Sequence, residues 1–251
     1  MAIIFSEDFE TGSSPWGFDS NTNWGNGTLV LDTTSKIAGV NCAKITRTGA
    51  GGNFLEKDLG SDYSEIYLQY KFFVASDWAW SSASYGIGGG ILSSADGEIG
   101  VYGCDDMGDG ALSITLSGSS FGWHDSGIDF VKGSVNTIEI YYKFNATTGI
   151  VRAWLNNGVE GSPDYEATGV NTGSVSARKI RTPEVWTDGA HPDLFIDDVI
   201  VATSFIGISD ERNAKSYGGF ANSVNDSFGN TTYKDGSTTA TWTGDGDVTI
   251  T

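Results

Sequence analysis

The feature that most limits the fold of this chain is a succession of short stretches in which β-branched and aromatic residues alternate with polar ones. Period-two alternation sends every second side chain to one face, the signature of a half-buried strand. The spacing predicts strands over 3–9, 28–32, 41–47, 53–58, 65–74, 90–93, 98–102, 111–117, 137–144, 149–156, 179–186 and 194–202. Turn residues separate them: Gly49-Ala50-Gly51-Gly52, Asp96-Gly97, Gly108-Asp109-Gly110, Asn156-Asn157-Gly158 and Asp188-Gly189. No segment sustains a helical period with caps. The stretches 65–74 and 137–144 are long and carry aromatics at alternate positions, as strands crossing a curved sheet do.

Such a pattern needs one sizeable core, and 251 residues with 39% hydrophobic and 12% aromatic content provide for it. Thirty-five glycines against four prolines suit many tight turns. The net charge of −18 excludes a nucleic-acid partner, whose phosphates demand a basic stripe, and disfavours anionic membranes. No run approaches the roughly 20 apolar residues of a membrane span, so no membrane insertion is expected. The first residues, Met1 to Ser6, have neither a basic nor an apolar region of the secretory kind, so no signal peptide is expected within this chain. Cys42 and Cys104 form neither a CxxC nor a zinc pattern, and two buried thiols are the simplest reading. Past residue 203 the composition shifts to Gly, Ser, Thr and Asn, with strand-like stretches at 238–243 and 247–251. This divides the chain into a 1–203 domain and a 204–251 arm that completes the sheet or contacts a partner.

Carboxylates interrupt two strands near the ends, at Glu7-Asp8-Phe9-Glu10 and at Leu194-Phe195-Ile196-Asp197-Asp198-Val199-Ile200-Val201. A charge inside an apolar strand is costly without a partner, and few basic residues are near in sequence. By alternation Leu194, Ile196, Asp198 and Ile200 share one face, and Phe195, Asp197, Val199 and Val201 the other.

Phe9-Glu10-Thr11-Gly12, Thr148-Gly149-Ile150-Val151-Arg152-Ala153-Trp154-Leu155-Asn156-Asn157-Gly158-Val159 and Phe195-Ile196-Asp197-Asp198-Val199-Ile200-Val201 occur in that order. Together they resemble the concanavalin A-like lectin/glucanase jelly rolls, especially the laminin-G-like and MAM-like branches, over about residues 3–203. The resemblance implies two stacked antiparallel sheets and a calcium ion between first and last strands. Carried over by motif, Glu10 and Asp198 are the leading ligands, with Asp8 and Asp197 as alternates. The competing reading is that these carboxylates cap turns or accept backbone hydrogen bonds. Asp105-Asp106-Met107-Gly108-Asp109-Gly110 and Asp245-Gly246-Asp247 lack the terminal glutamate of a calcium loop and read as turns.

The glucanase branch carries Glu-x-Asp-x-x-Glu on one strand, and this sequence does not. A lyase of this fold would want a Tyr/His pair beside Arg and Gln, whereas the only histidines, His124 and His191, fall outside such a pattern. Sugars are bound on aromatic faces, and Trp78, Trp80, Tyr85, Trp123 and Trp186 are the candidates for a carbohydrate surface. Trp154 reads as a core anchor, Trp16 and Trp24 as pins of the N-terminal loop. The expectation is an all-β, two-sheet antiparallel jelly-roll β-sandwich with an extended C-terminal arm, without catalytic activity. It would be a structural or adhesive surface protein, a phage virion component such as a head decoration or tail-associated protein. Its partners would be capsid or tail proteins or surface glycans, with self-association open, and its place the virion surface or the extracellular space. The alternatives are a secreted carbohydrate-binding module and a polysaccharide hydrolase or lyase.

Overall fold

The computed structural model describes residues 2–10, 13–34, 37, 39–78, 84–93, 98–104, 113–116, 124–174, 176–187 and 189–207, and four strands within 222–250. Among these, every regular element is a β-strand. The chain divides into two compact units, Met1–Ile208 and Ser209–Thr251. The alternating stretches become β1 (Ile3–Glu7), β2 (Ser20–Asp32), β3 (Cys42–Tyr63), β4 (Glu65–Val74), β5 (Ser84–Ser93), β6 (Glu98–Cys104) and β7 (Ser113–Leu116). They continue as β8 (His124–Asp129), β9 (Val135–Lys143), β10 (Gly149–Leu155), β11 (Tyr165–Val170), β12 (Ala177–Thr187) and β13 (His191–Ala202).

One strand joins two layers. The first part of β3 pairs with β13, and its later part, from Gly51 onward, pairs with β12. One layer therefore runs β11-β10-β9-β4-β13-β3 and the other β3-β12-β5-β6-β7-β8, all antiparallel. β2 follows β3 along both, and β1 pairs with β13. Leu68, Tyr70 and Phe72 of β4, Ile138, Ile140 and Tyr142 of β9, and Val151 and Ala153 of β10 fill the space between the layers. Leu55, Ile91, Ile180 and Val185 meet them from the second layer. The layers meet at Gly89, where a Cβ would stand 3.2 Å from the Tyr70 ring and 3.4 Å from Leu68 of the facing layer, and 2.5 Å from Thr182 Oγ1 of the neighbouring strand. Any side chain there would force the layers apart. It follows that Gly89 faces inward, and its neighbours Gly88 and Gly90 face out.

The alternation of β13 breaks where the carboxylates lie. Leu194 and Ile196 enter the core, but so do Val199 and Val201. The register against β4 shifts between Asp197 and Ile200, and Asp198 has φ +47°. This bulge takes up one residue, so Ile200 no longer shares a face with Leu194 and Ile196 as strict alternation predicts.

The outer face of the first layer is closed by the chain itself. Tyr67, Tyr141 and Trp154 are buried there beneath Phe205 and Ile206 rather than between the sheets. Trp154 and Phe205 lie 5.0 Å apart, and the Trp154 indole donates to Val159 O at 3.1 Å. Buried Glu139 receives Ile206 N at 2.7 Å and Gly207 N at 2.8 Å, while Gln69 Nε2 donates to Gly207 O at 2.7 Å. Burial pushes the Glu139 carboxyl up, and those donors pull against it. Residues 204–207, which composition assigns to the arm, belong to this face.

In the second unit, β14 (Asn222–Asn225), β15 (Thr231–Asp235), β16 (Thr238–Trp242) and β17 (Val248–Ile250) form a separate antiparallel meander. No helix among the described residues is long and apolar enough to cross a membrane.

Candidate functional site

The outer face of the second layer has a different make-up. On β5, Gly86, Gly88 and Gly90 all occupy outward positions, leaving a lane without side chains between β12 and β6. Two inter-strand spacings, roughly 10 Å, separate those banks. Across the lane, Glu184 is in register with Gly88 and Tyr102, and Arg181 with Gly90 and Gly100. The shift between Arg181 and Glu184, at the cis Thr182–Pro183 bond, keeps both positions on this face. On the β3 side, Phe54 is in register with Glu184, and Glu56 with Arg181.

Arg181 is the best-defined polar group here. Its guanidinium lies 4.2 Å from the Phe54 ring centroid, and its Nε donates to Glu56 Oε2 at 3.0 Å. Lys179 Nζ lies 3.2 Å from Glu56 Oε1, so two cations share one carboxylate. A planar guanidinium braced on an aromatic ring is suited to a carboxylate ligand, which it meets with paired N–H donors. At the Gly86 end of the lane, Trp186 of β12 and Trp24 of β2 flank Gly52 of β3 in one row, which places Trp24 two strands beyond the β12 bank. Trp24 is 60% exposed.

The sequence candidates for sugar binding fare unequally. Trp78 is a core residue, 1% exposed, with its indole N–H donating to Pro192 O at 3.2 Å, so it offers no ring face to a sugar. The strand that covers Trp78, β13, is distant in sequence. Trp80 and Trp123 lie outside the described residues. Tyr85 lies on β5, and Trp186 holds an outward position beside the lane. Trp24, read as a pin, is instead exposed, whereas Trp16 packs edge-on against Phe9 at 5.1 Å. The signal for Trp24 was present in the alternation of 20–24, which the strand prediction had not included. His124 is in register with Leu116, and Leu116 with Val101, the row that continues to inward Gly89, so it does not join Arg181.

The carboxylates of the end strands are occupied from within. Asp198 is ion-paired with Lys71 of β4, a basic residue far from it in sequence. Glu10 Oε1 accepts from Val40 N at 2.8 Å and Asn41 N at 3.3 Å, and Asn41 Nδ2 donates to Glu10 O at 3.2 Å. Asp8 Oδ1 accepts from Glu10 N at 3.2 Å. Asp197 is buried, accepts only its neighbour's Asp198 N among these bonds, at 2.8 Å, and is pushed up to about 8. Burial is the main cause, and the charges of Asp198 and Glu10 add to it against the pull of Lys71. Among the described residues no three His, Cys, Asp or Glu side chains group as metal ligands. Glu10, whose backbone carbonyl accepts from Asn41, adds its repulsion to that of Asp198 on Asp197.

No protein-family model matches this sequence, and no curated protein does. Solved structures do. The endo-β-1,4-glucuronan lyase of the fungus Trichoderma reesei superposes with a TM-score of 0.57 at 17% identity, covering 82% of this chain and 98% of that one. The cellulose-induced protein Cip1 gives 0.59 at 16% identity, covering 82% and 100%. This chain folds as an antiparallel jelly-roll β-sandwich. A carbohydrate esterase of the Shiga toxin-encoding bacteriophage phi24B gives 0.54 at 15% identity, covering 80% and 97%. These neighbours overturn the expectation of a non-catalytic structural virion protein. The same sandwich, matched nearly end to end, is the fold of carbohydrate-processing enzymes, so neither the jelly roll nor the missing glucanase motif argues against catalysis.

Proposed function

We propose that this protein is a carbohydrate-active enzyme that acts on an acidic polysaccharide, at the outer face of the second layer. The observation that carries the proposal is Arg181, braced on Phe54 beside the glycine-floored lane of β5. A sugar chain lying along the lane meets backbone below and the two banks at its sides. The glucuronan lyase among the neighbours favours elimination as the reaction. In that reaction a base removes the proton on the carbon next to the uronate carboxylate. The electron pair becomes a carbon–carbon double bond as the glycosidic C–O bond breaks, and the departing oxygen takes up a proton. Arg181 would hold the carboxylate while negative charge builds on it. The reading prefers the polysaccharide-active jelly rolls over the laminin-G-like and MAM-like branches, and it puts the working place outside the cell, where such polymers are found.

The test is incubation with polyglucuronate and with alginate, following the ultraviolet absorbance of the new conjugated double bond. Wild type should generate it, and Arg181→Met should lose at least ~100-fold in rate while melting cooperatively. No absorbance rise on either polymer would count against elimination.

A structural calcium ion held by Glu10 and Asp197, completed by amide and backbone oxygens, is proposed alongside. It would clasp the first and last strands and take no part in the reaction.

A further inference from the structure

Building on the proposed function, we propose that Trp24 is a sugar-stacking subsite in the Gly86 row, two strands beyond the β12 bank of the lane, and that Arg47 is the residue that positions it. Two features of this corner are individually unfavourable. A tryptophan of β2 stands 60% exposed, and a few ångströms beneath it an arginine is 1% exposed. Burying a guanidinium is expensive, and burial lowers the affinity of Arg47 for its own proton.

What Arg47 does there is hold main chain. Its Nη1 donates to Trp24 O at 3.2 Å and to Asn53 Oδ1 at 2.6 Å, and its Nη2 donates to Gly49 O at 2.8 Å. Asn53 in turn donates through Nδ2 to Asn23 Oδ1. The strand pair around it leaves no room for a side chain at Gly51. Gly51 has φ +141°, and a Cβ there would stand 2.1 Å from Trp24 O and 2.4 Å from Arg47 Nη2. The register slips between Gly25 and Gly27 at the same corner. Backbone fixed this firmly under an exposed ring is the form of a pre-organised platform, since a ring already in place loses little freedom when a ligand stacks on it. The ligand class is the apolar face of a pyranose ring in a polymer long enough to reach from the Arg181 row to the Trp24 row.

The test is affinity electrophoresis of the full chain through gels containing polyglucuronate, alginate or a neutral β-glucan, with melting curves for each variant. Wild type should be retarded by an acidic polymer. Trp24→Ala should weaken that retardation about tenfold at an unchanged melting temperature, and Trp24→Phe should restore most of it. Arg47→Lys should weaken it with the ring still present. Should Arg47→Lys not fold, Asn23→Ala, an exposed position farther along the same chain of hydrogen bonds, is expected to weaken it in the same direction. Retardation of wild type and Trp24→Ala to the same extent would overturn the subsite and leave the Arg181 face standing. A wild-type protein retarded by none of the polymers would overturn the proposed function, and the subsite with it.

Discussion

The two outer faces of the sandwich are built from similar residues and put them to opposite uses. On the first layer, Tyr67, Tyr141 and Trp154 are sealed by Phe205 and Ile206, and the chain is tied down at Glu139 and Gln69. On the second, Arg181 lies over Phe54, β5 contributes glycine at each outward position from 86 to 90, and Trp24 stands exposed. Aromatic content alone does not mark a binding face. What distinguishes the two is whether the protein spends its own backbone to cover the rings.

That contrast is broken most forcefully from the closed side. Trp154→Ala should destabilise the fold by about 3–5 kcal/mol, read in denaturant melts, because a buried indole leaves a cavity. Asp197→Asn should have the next largest effect, and a pH-dependent one. The folded Asp197 carboxyl is raised to about 8 from the ordinary 3.8, so the native chain holds a proton that the unfolded chain gives up. Stability should therefore fall as pH rises between those values, and by several kcal/mol across the window. The asparagine variant should flatten that slope in thermal melts run from acid to mildly alkaline pH. Excess calcium against EDTA sharpens the point. If the ion is bound by Asp197 and Glu10, calcium should raise the melting temperature most above pH 8, while identical curves would dismiss it.

Glu139→Gln should cost about 1–3 kcal/mol and make residues 203–207 more open to proteolysis, since a neutral amide replaces an acceptor of two backbone N–H groups. The smallest stability effect belongs to the open side. Trp24→Ala should change stability by less than about 0.5 kcal/mol, even as it weakens polysaccharide binding.

Local pattern carried the fold further than it carried the site. Strand β4 begins and ends where alternation put it, and β9, β10, β12 and β13 lie within a few residues of their predicted bounds. Those strands repeat one physical rule along their length. The segments 41–47 and 53–58 merge into β3, because the Gly-rich stretch between them bends the strand from one layer to the other without ending it. The bulge at Asp197–Asp198 was hidden, since one left-handed residue reverses every face after it. Trp78 and Trp24 could not be told apart locally. One is buried by Pro192 and the other exposed beside Gly52, and both neighbours are set by pairings distant in sequence. The ion pair of Lys71 with Asp198 was illegible for the same reason.

The second layer's outer face is the proposed working face. Hydrogen–deuterium exchange in the presence of a glucuronan oligosaccharide tests it most directly. Protection should appear on β12, β5 and β6 and around Trp24, with β9, β10 and residues 203–207 unchanged. Protection confined to β9 and β10, or none at saturating oligosaccharide, would contradict it.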